Sequence, residues 1–122
     1  MKTFVVLGAV NAFLAVAAGA FGAHGLKQRL DADALAIYEV GARYHMYHAL
    51  GLFAVAWLVS REAPLATAAG WCMFGGIVVF SGSLYLLSVT GTKWLGAITP
   101  IGGLGFLAAW ALVAYGVLKS PA

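Results

Sequence analysis

Charge is scarce in this chain. Only 9% of its 122 residues are Asp, Glu, Lys or Arg, while 63% are hydrophobic; soluble domains run at about 25% charged and roughly 45–50% apolar. A soluble helical bundle of this composition would aggregate. Cysteine occurs once, as Cys72 inside an apolar run, which excludes an intrachain disulfide or a thiolate cluster and leaves a small packing residue. The formal charge is +3 with the basic residues dispersed. A nucleic-acid footprint needs Lys and Arg clustered on a soluble face, so no nucleic-acid partner is expected. The chain has no known catalytic or transport signature, no fixed-period repeat and no low-complexity linker, and it reads as one domain, residues 1–122.

In place of these it has four apolar stretches: Thr3–Ala23, Tyr44–Val59, Leu65–Val89 and Trp94–Leu118. A hydrocarbon core about 30 Å thick needs roughly 20 apolar residues of helix, and the first, third and fourth stretches reach that length. Spanning segments must satisfy their own backbone hydrogen bonds, and these continuous runs are too long for barrel strands. The expectation is an all-α polytopic membrane protein, with four transmembrane helices in one bundle at about 3–23, 40–60, 65–89 and 96–118. Lys2 followed by an apolar run ending near Ala18-Gly19-Ala20 has the outline of a signal peptide. More membrane follows it rather than a secreted domain, so it reads as span one.

Gly8, Ala12, Ala15, Gly19 and Ala23 form a stripe of small residues along one face of span one. Such a stripe lets a neighbouring helix approach closely, either within the bundle or in a homo-oligomer or membrane-protein partner. Asn11, strongly polar within that span, suits an interhelical hydrogen bond. Asp31 or Asp33 can cap the second helix, which then begins ahead of the membrane and carries Tyr38, Glu39 and Arg43 at headgroup depth. Pro100 lies in the run Gly96–Gly103. Proline lacks an amide hydrogen and disfavours helix at the residue before it, so the fourth span is expected to be interrupted or kinked across Ile98–Ile101. Thr99 would then be its N-cap and Pro100 its first residue.

Alternating the spans places His24, Glu39, Arg43, His45, His48, Ser81, Ser83 and Thr99 near one membrane face, a polar vestibule and candidate ligand site. Ionisable groups at membrane depth are costly and therefore functional candidates. Glu39 and Arg43, spaced i, i+4, suit an interfacial ion pair. His45 and His48 are spaced i, i+3, and His24 lies in the loop nearby. Three histidines can hold zinc, but metal motifs bring a carboxylate or cysteine at fixed spacing. No metal site is assigned, and no cofactor is identifiable; His24, His45 and His48 are the only metal or haem candidates, and the first reading of them is interfacial histidines hydrogen-bonded to backbone or tyrosine. Trp57, Trp71, Trp110 and Tyr115 fall toward the opposite face, as an aromatic belt. Lys2, Arg61 and Lys119 lie on that side, and Lys27, Arg29 and Lys93 on the other, with Arg43 close to it. The balance leans toward cytoplasmic loops after spans one and three.

The runs 19–26 (GAFGAHGL), 41–50 (GARYHMYHAL), 80–85 (FSGSLY) and 96–103 (GAITPIGG) resemble the YgdD/YwdK-like small integral membrane proteins of bacteria, over nearly the whole chain. The resemblance implies a four-helix, multi-pass protein of the bacterial cytoplasmic (inner) membrane. It implies no activity and no catalytic residues. The first expectation for function is a non-enzymatic membrane component surrounded by the lipid bilayer. A small transporter or channel for an anionic or protonatable solute is the first alternative, and a histidine-dependent metal or redox protein the second. Small multidrug exporters place a working carboxylate in span one, where this chain has Asn11.

Overall fold

A computed structural model of the chain describes residues 1–120, and among these all regular structure is helical. Helix α1 (Lys2–His24) ends in a short 3-10 turn at Leu26–Gln28. It leads to α2 (Ala32–Ser60), α3 (Ala66–Gly76), α4 (Gly82–Thr90) and α5 (Leu95–Lys119). A widened π turn, Ile77–Ser81, joins α3 to α4 without a loop, so the two form one rod. The segments Lys2–Gln28, Ala66–Thr90 and Leu95–Lys119 are each long and apolar enough to cross a membrane. Helix α2 is longer than any of them at 29 residues but carries Asp33, Glu39 and Arg43.

Local chemistry sets the ends. Asp31 is extended at φ −69 and ψ 174, and its carboxylate accepts the Ala34 amide at 2.8 Å, the cap anticipated for α2. Gly91 closes α4 in the left-handed conformation, φ 70, and returns its N–H to the Leu87 carbonyl. Between α2 and α3 the chain reverses through Glu62 and Leu65, both at positive φ, while Arg61 sits over the Trp57 ring at 5.6 Å.

Helix α1 packs along α2, α3 packs along α5, and α2 touches every other helix. Their shared core holds Phe4, Leu52, Val55, Met73, Ile77 and Phe106. The small-residue stripe of α1 serves this packing at one end only. Gly8 and Ala15 are buried, with a Cβ on Gly8 falling 3.1 Å from the Ala49 carbonyl, whereas Gly19 and Ala23 are exposed.

The exterior is inverted relative to a soluble protein: Phe13, Leu104 and Leu107 are exposed while Asn11, His45 and His48 are buried.

The fourth long helix corrects one expectation. Helix α5 runs unbroken from Leu95 to Lys119 with Pro100 inside it, and Trp94 rather than Thr99 is its N-cap. The helix is already wound before the proline arrives, because the amides of Leu95, Gly96 and Ala97 bond to the Thr92, Lys93 and Trp94 carbonyls. Pro100 therefore removes one donor, the partner of the Gly96 carbonyl, and does not interrupt the element. The irregular turn lies instead in the neighbouring rod, where the Gly82 amide bonds back to the Ile77 carbonyl, five residues earlier. The two features touch. A Cβ on Gly102 would run into the backbone nitrogen of Phe80, so only glycine lets α5 lie this close to the π turn.

Candidate functional site

The polar residues expected to share a vestibule are distributed over three distinct settings. His24, Glu39 and Arg43 are exposed. No ion pair joins Glu39 to Arg43 among the described residues, and the two charges face outward independently. His45, His48, Ser81 and Ser83 are buried inside the bundle, and Thr99 is half-buried.

His45 is the centre of a polar chain across three helices. Its Nε2 lies 2.9 Å from Asn11 Oδ1 in α1, and its Nδ1 lies 2.9 Å from the Tyr85 hydroxyl in α4. Asn11 Nδ2 donates to the Leu7 carbonyl at 2.8 Å, which fixes the amide with Oδ1 turned toward His45. An oxygen accepts, so His45 Nε2 carries the proton; its Nδ1 is then the acceptor for Tyr85 O–H. The chain reads Tyr85 to His45 to Asn11 to Leu7, every link neutral and each imidazole nitrogen used. That arrangement suits a low-dielectric interior, where an unpaired polar group is expensive.

Two further bonds tie the α3–α4 rod to its neighbours. Ser81, the last residue of the π turn, donates to the Gly41 carbonyl of α2 at 2.8 Å, fully buried. Ser83 and Thr99 share a 2.6 Å hydrogen bond between α4 and α5. The remaining hydroxyl hydrogen goes to the Phe80 or the Leu95 carbonyl. Tyr38 completes the set by donating to the Ala18 carbonyl at 2.7 Å.

His48 stands apart. The i, i+3 spacing that could have let it share a ligand with His45 instead presents the rings to different helices. His48 Nδ1 donates to the Tyr44 carbonyl of its own helix at 2.7 Å, and the ring lies parallel to Phe106 of α5, centroids 3.5 Å apart and planes 5° apart. Because Nδ1 holds the hydrogen, neutral His48 has a bare acceptor at Nε2. The ring lines a groove of about 460 Å³ between α2, the π turn and α5, bounded by Tyr44, Phe80, Pro100, Gly103, Phe106 and Trp110 among others. No group of three or more metal-ligating side chains occurs among the described residues, and His24 lies exposed at the end of α1.

Sequence reasoning anticipated an interhelical role for Asn11 but did not join it to His45. It expected backbone or tyrosine partners for the histidines, which the Tyr44 carbonyl and Tyr85 supply, but it did not single out Tyr85 as the third member. It read Trp110 only as part of an aromatic belt, whereas that ring also stands 5.8 Å from His48. The spacing of Trp110 from Phe106, i+4 on one face of α5, was the available signal.

An all-helical chain with apolar flanks and an internally paired polar interior belongs to the class of small integral membrane proteins. The family described as "Protein of unknown function (DUF423)" matches residues 18–103, and the chain belongs to it. It is 53% identical over 121 residues to the UPF0382 membrane protein YwdK of Bacillus subtilis, covering 98% of each chain. It is 47% identical to the UPF0382 membrane protein SSP2132 of Staphylococcus saprophyticus, covering 98% of this chain and 99% of the relative. Identity is 44% to a UPF0382 membrane protein of Staphylococcus aureus strain USA300, over 98% of each. No solved structure matches the chain.

Proposed function

We propose that the protein is a non-enzymatic, four-span component of the bacterial cytoplasmic membrane, in which α2 is the fourth span. Supporting that assignment, α2 is buried along one face from Tyr38 to Leu58, and Glu39 and Arg43 lie near one end of it, where long charged side chains reach headgroups. The loops after α1 and α4 face the cytoplasm, following the lean in Lys and Arg. Reporter fusions after Val89 and at Ala122 should then report opposite sides, with Val89 cytoplasmic. Agreement between the two reporters would rule out four spans.

The observation that carries the non-enzymatic reading is the closed Tyr85–His45–Asn11 chain. A conduit or a catalytic base needs an exchangeable group facing water or substrate, whereas here both nitrogens of the central histidine are committed to protein partners. The polar interior acts as a lock between helices. The exposed end of the α1 stripe, Gly19 and Ala23, is the patch left for a partner helix or a second copy.

Reconstituted vesicles test this directly. Proton, potassium and chloride flux should equal that of empty vesicles. Flux above that background, abolished by His45→Ala at equal incorporation, would replace this reading with the transporter or channel.

A further inference from the structure

We propose that the groove beside His48 binds a neutral, membrane-soluble phenol or quinol, the ligand O–H donating to His48 Nε2 while its ring lies among Tyr44, Phe80, Phe106 and Trp110. The site is independent of the locking role assigned to His45.

Four observations support it. His48 is only 5% exposed, and its Nδ1–H is held by the Tyr44 carbonyl, so the ring offers an acceptor alone. Turning Nδ1 back onto α2 points Nε2 away from that helix. No side-chain nitrogen or oxygen sealed from the surface lacks a partner among the described residues, so the unbonded Nε2 reaches an opening, and the opening its ring lines is this groove. Second, the volume of about 460 Å³ falls in the usual range for small-molecule sites. A cavity of about 150 Å³ already holds benzene, which leaves space here for a substituted ring and the start of a tail.

Third, no charged side chain lines the groove, so an ionic headgroup would be desolvated without compensation. The occupant is neutral. Fourth, the walls are aromatic on three elements: Tyr44 of α2, Phe80 of the π turn, and Phe106 and Trp110 of α5. Aromatic walls favour a planar ring over a saturated chain by offset stacking and edge contacts. A saturated acyl tail gains nothing here that it lacks in the surrounding lipid, since it is equally apolar in both places.

The donor requirement gives the site a chemical preference. A hydroxyl satisfies Nε2. A methyl ether or a quinone carbonyl brings only another acceptor and leaves the nitrogen unpaired. A net hydrogen bond of about 1.4 kcal/mol corresponds to tenfold in affinity.

The test uses the full chain in lipid nanodiscs, with 3-pentadecylphenol as probe, its methyl ether and 1-hexadecanol as comparisons, and saturable quenching of tryptophan fluorescence as readout. The phenol should bind saturably and about tenfold more tightly than either comparison. His48→Phe, which keeps a flat ring on Phe106, should bring the phenol down to the level of the ether. Gly103→Leu should abolish saturable binding of all three, because a Cβ there meets only Phe80 at 3.9 Å and the added carbons extend into the groove. Equal affinity of phenol and ether for the unaltered protein would overturn the hydrogen bond, and that comparison needs no variant to fold. Equal affinity of hexadecanol would overturn the aromatic preference, and saturable binding undiminished in Gly103→Leu would place the probe elsewhere.

Discussion

His48 lies flat on Phe106, with ring centroids 3.5 Å apart and planes within 5° of parallel, so one contact holds α2 against α5 near the middle of both helices. Phe106 is 5% exposed and belongs to the main core, while also edging Phe80 at 5.3 Å. Removing it separates three elements at once. Phe106→Ala should cost about 3–5 kcal/mol, the range for deleting a buried aromatic, read as a lower midpoint of unfolding in mixed detergent micelles. Phe106→Leu should cost less than half as much.

The polar chain through His45 predicts an order of losses. His45→Leu strands both Asn11 Oδ1 and the Tyr85 hydroxyl, whereas Tyr85→Phe strands only His45 Nδ1. Stranded buried groups cost about 1–3 kcal/mol each, so His45→Leu should destabilise more than Tyr85→Phe. The double variant should be less destabilised than the sum of its parts, by about 0.6 kcal/mol and at most about 1.7. Strict additivity in the same unfolding assay would mean that the hydrogen bond between the two side chains contributes nothing.

Two adjacent glycines should respond oppositely to the same change. A Cβ on Gly102 collides with the Phe80 backbone, which cannot move aside, while one on Gly103 meets Phe80 Cδ2 at an ordinary 3.9 Å. Gly102→Ala should destabilise by about 1–3 kcal/mol, as overpacking does. Gly103→Ala should be neutral or stabilising by up to about 1 kcal/mol, the helix preference of alanine over glycine. Thermal melting in one detergent suffices to rank them.

Pro100 sits in a helix already formed around it. Pro100→Ala supplies the missing amide to the Gly96 carbonyl and should raise stability by about 1–3 kcal/mol, below or near the full interior cost of proline. Helix content by circular dichroism should stay constant. A large gain in helix would mean that the proline does interrupt α5.

Local signals in the sequence proved sound where the physics is local. Hydrophobic run length located three membrane-length helices, Asp31 announced its cap, and Asn11 announced a bond to another helix, because each depends on neighbours in the chain. The same reasoning misplaced the irregular turn. Proline advertises itself by a missing amide, yet near the start of α5 it removes one bond only. The π turn at Ile77–Ser81 has no residue of comparable character. It is held from outside, by Ser81 reaching the Gly41 carbonyl and by Gly102 under Phe80. The vestibule residues separate for a related reason. Alternating spans sorts residues by depth but not by direction, and direction sends His45 toward α1 and α4, His48 toward α5, and Glu39 and Arg43 outward.

The widened turn in the α3–α4 rod also re-aims its second half. In a regular α-helix each residue advances about 100°, so Gly70 and Ser88, both buried and 88 − 70 = 18 residues apart, would share an azimuth. A bond spanning five residues absorbs one residue without that advance, which turns everything beyond Ser81 by about 100°. The inserted residue works as a swivel. Ahead of it the rod packs mainly against α5, and beyond it mainly against α2, so one 25-residue rod serves both neighbours. Tyr85, in the re-aimed half, is the residue that meets His45 of α2.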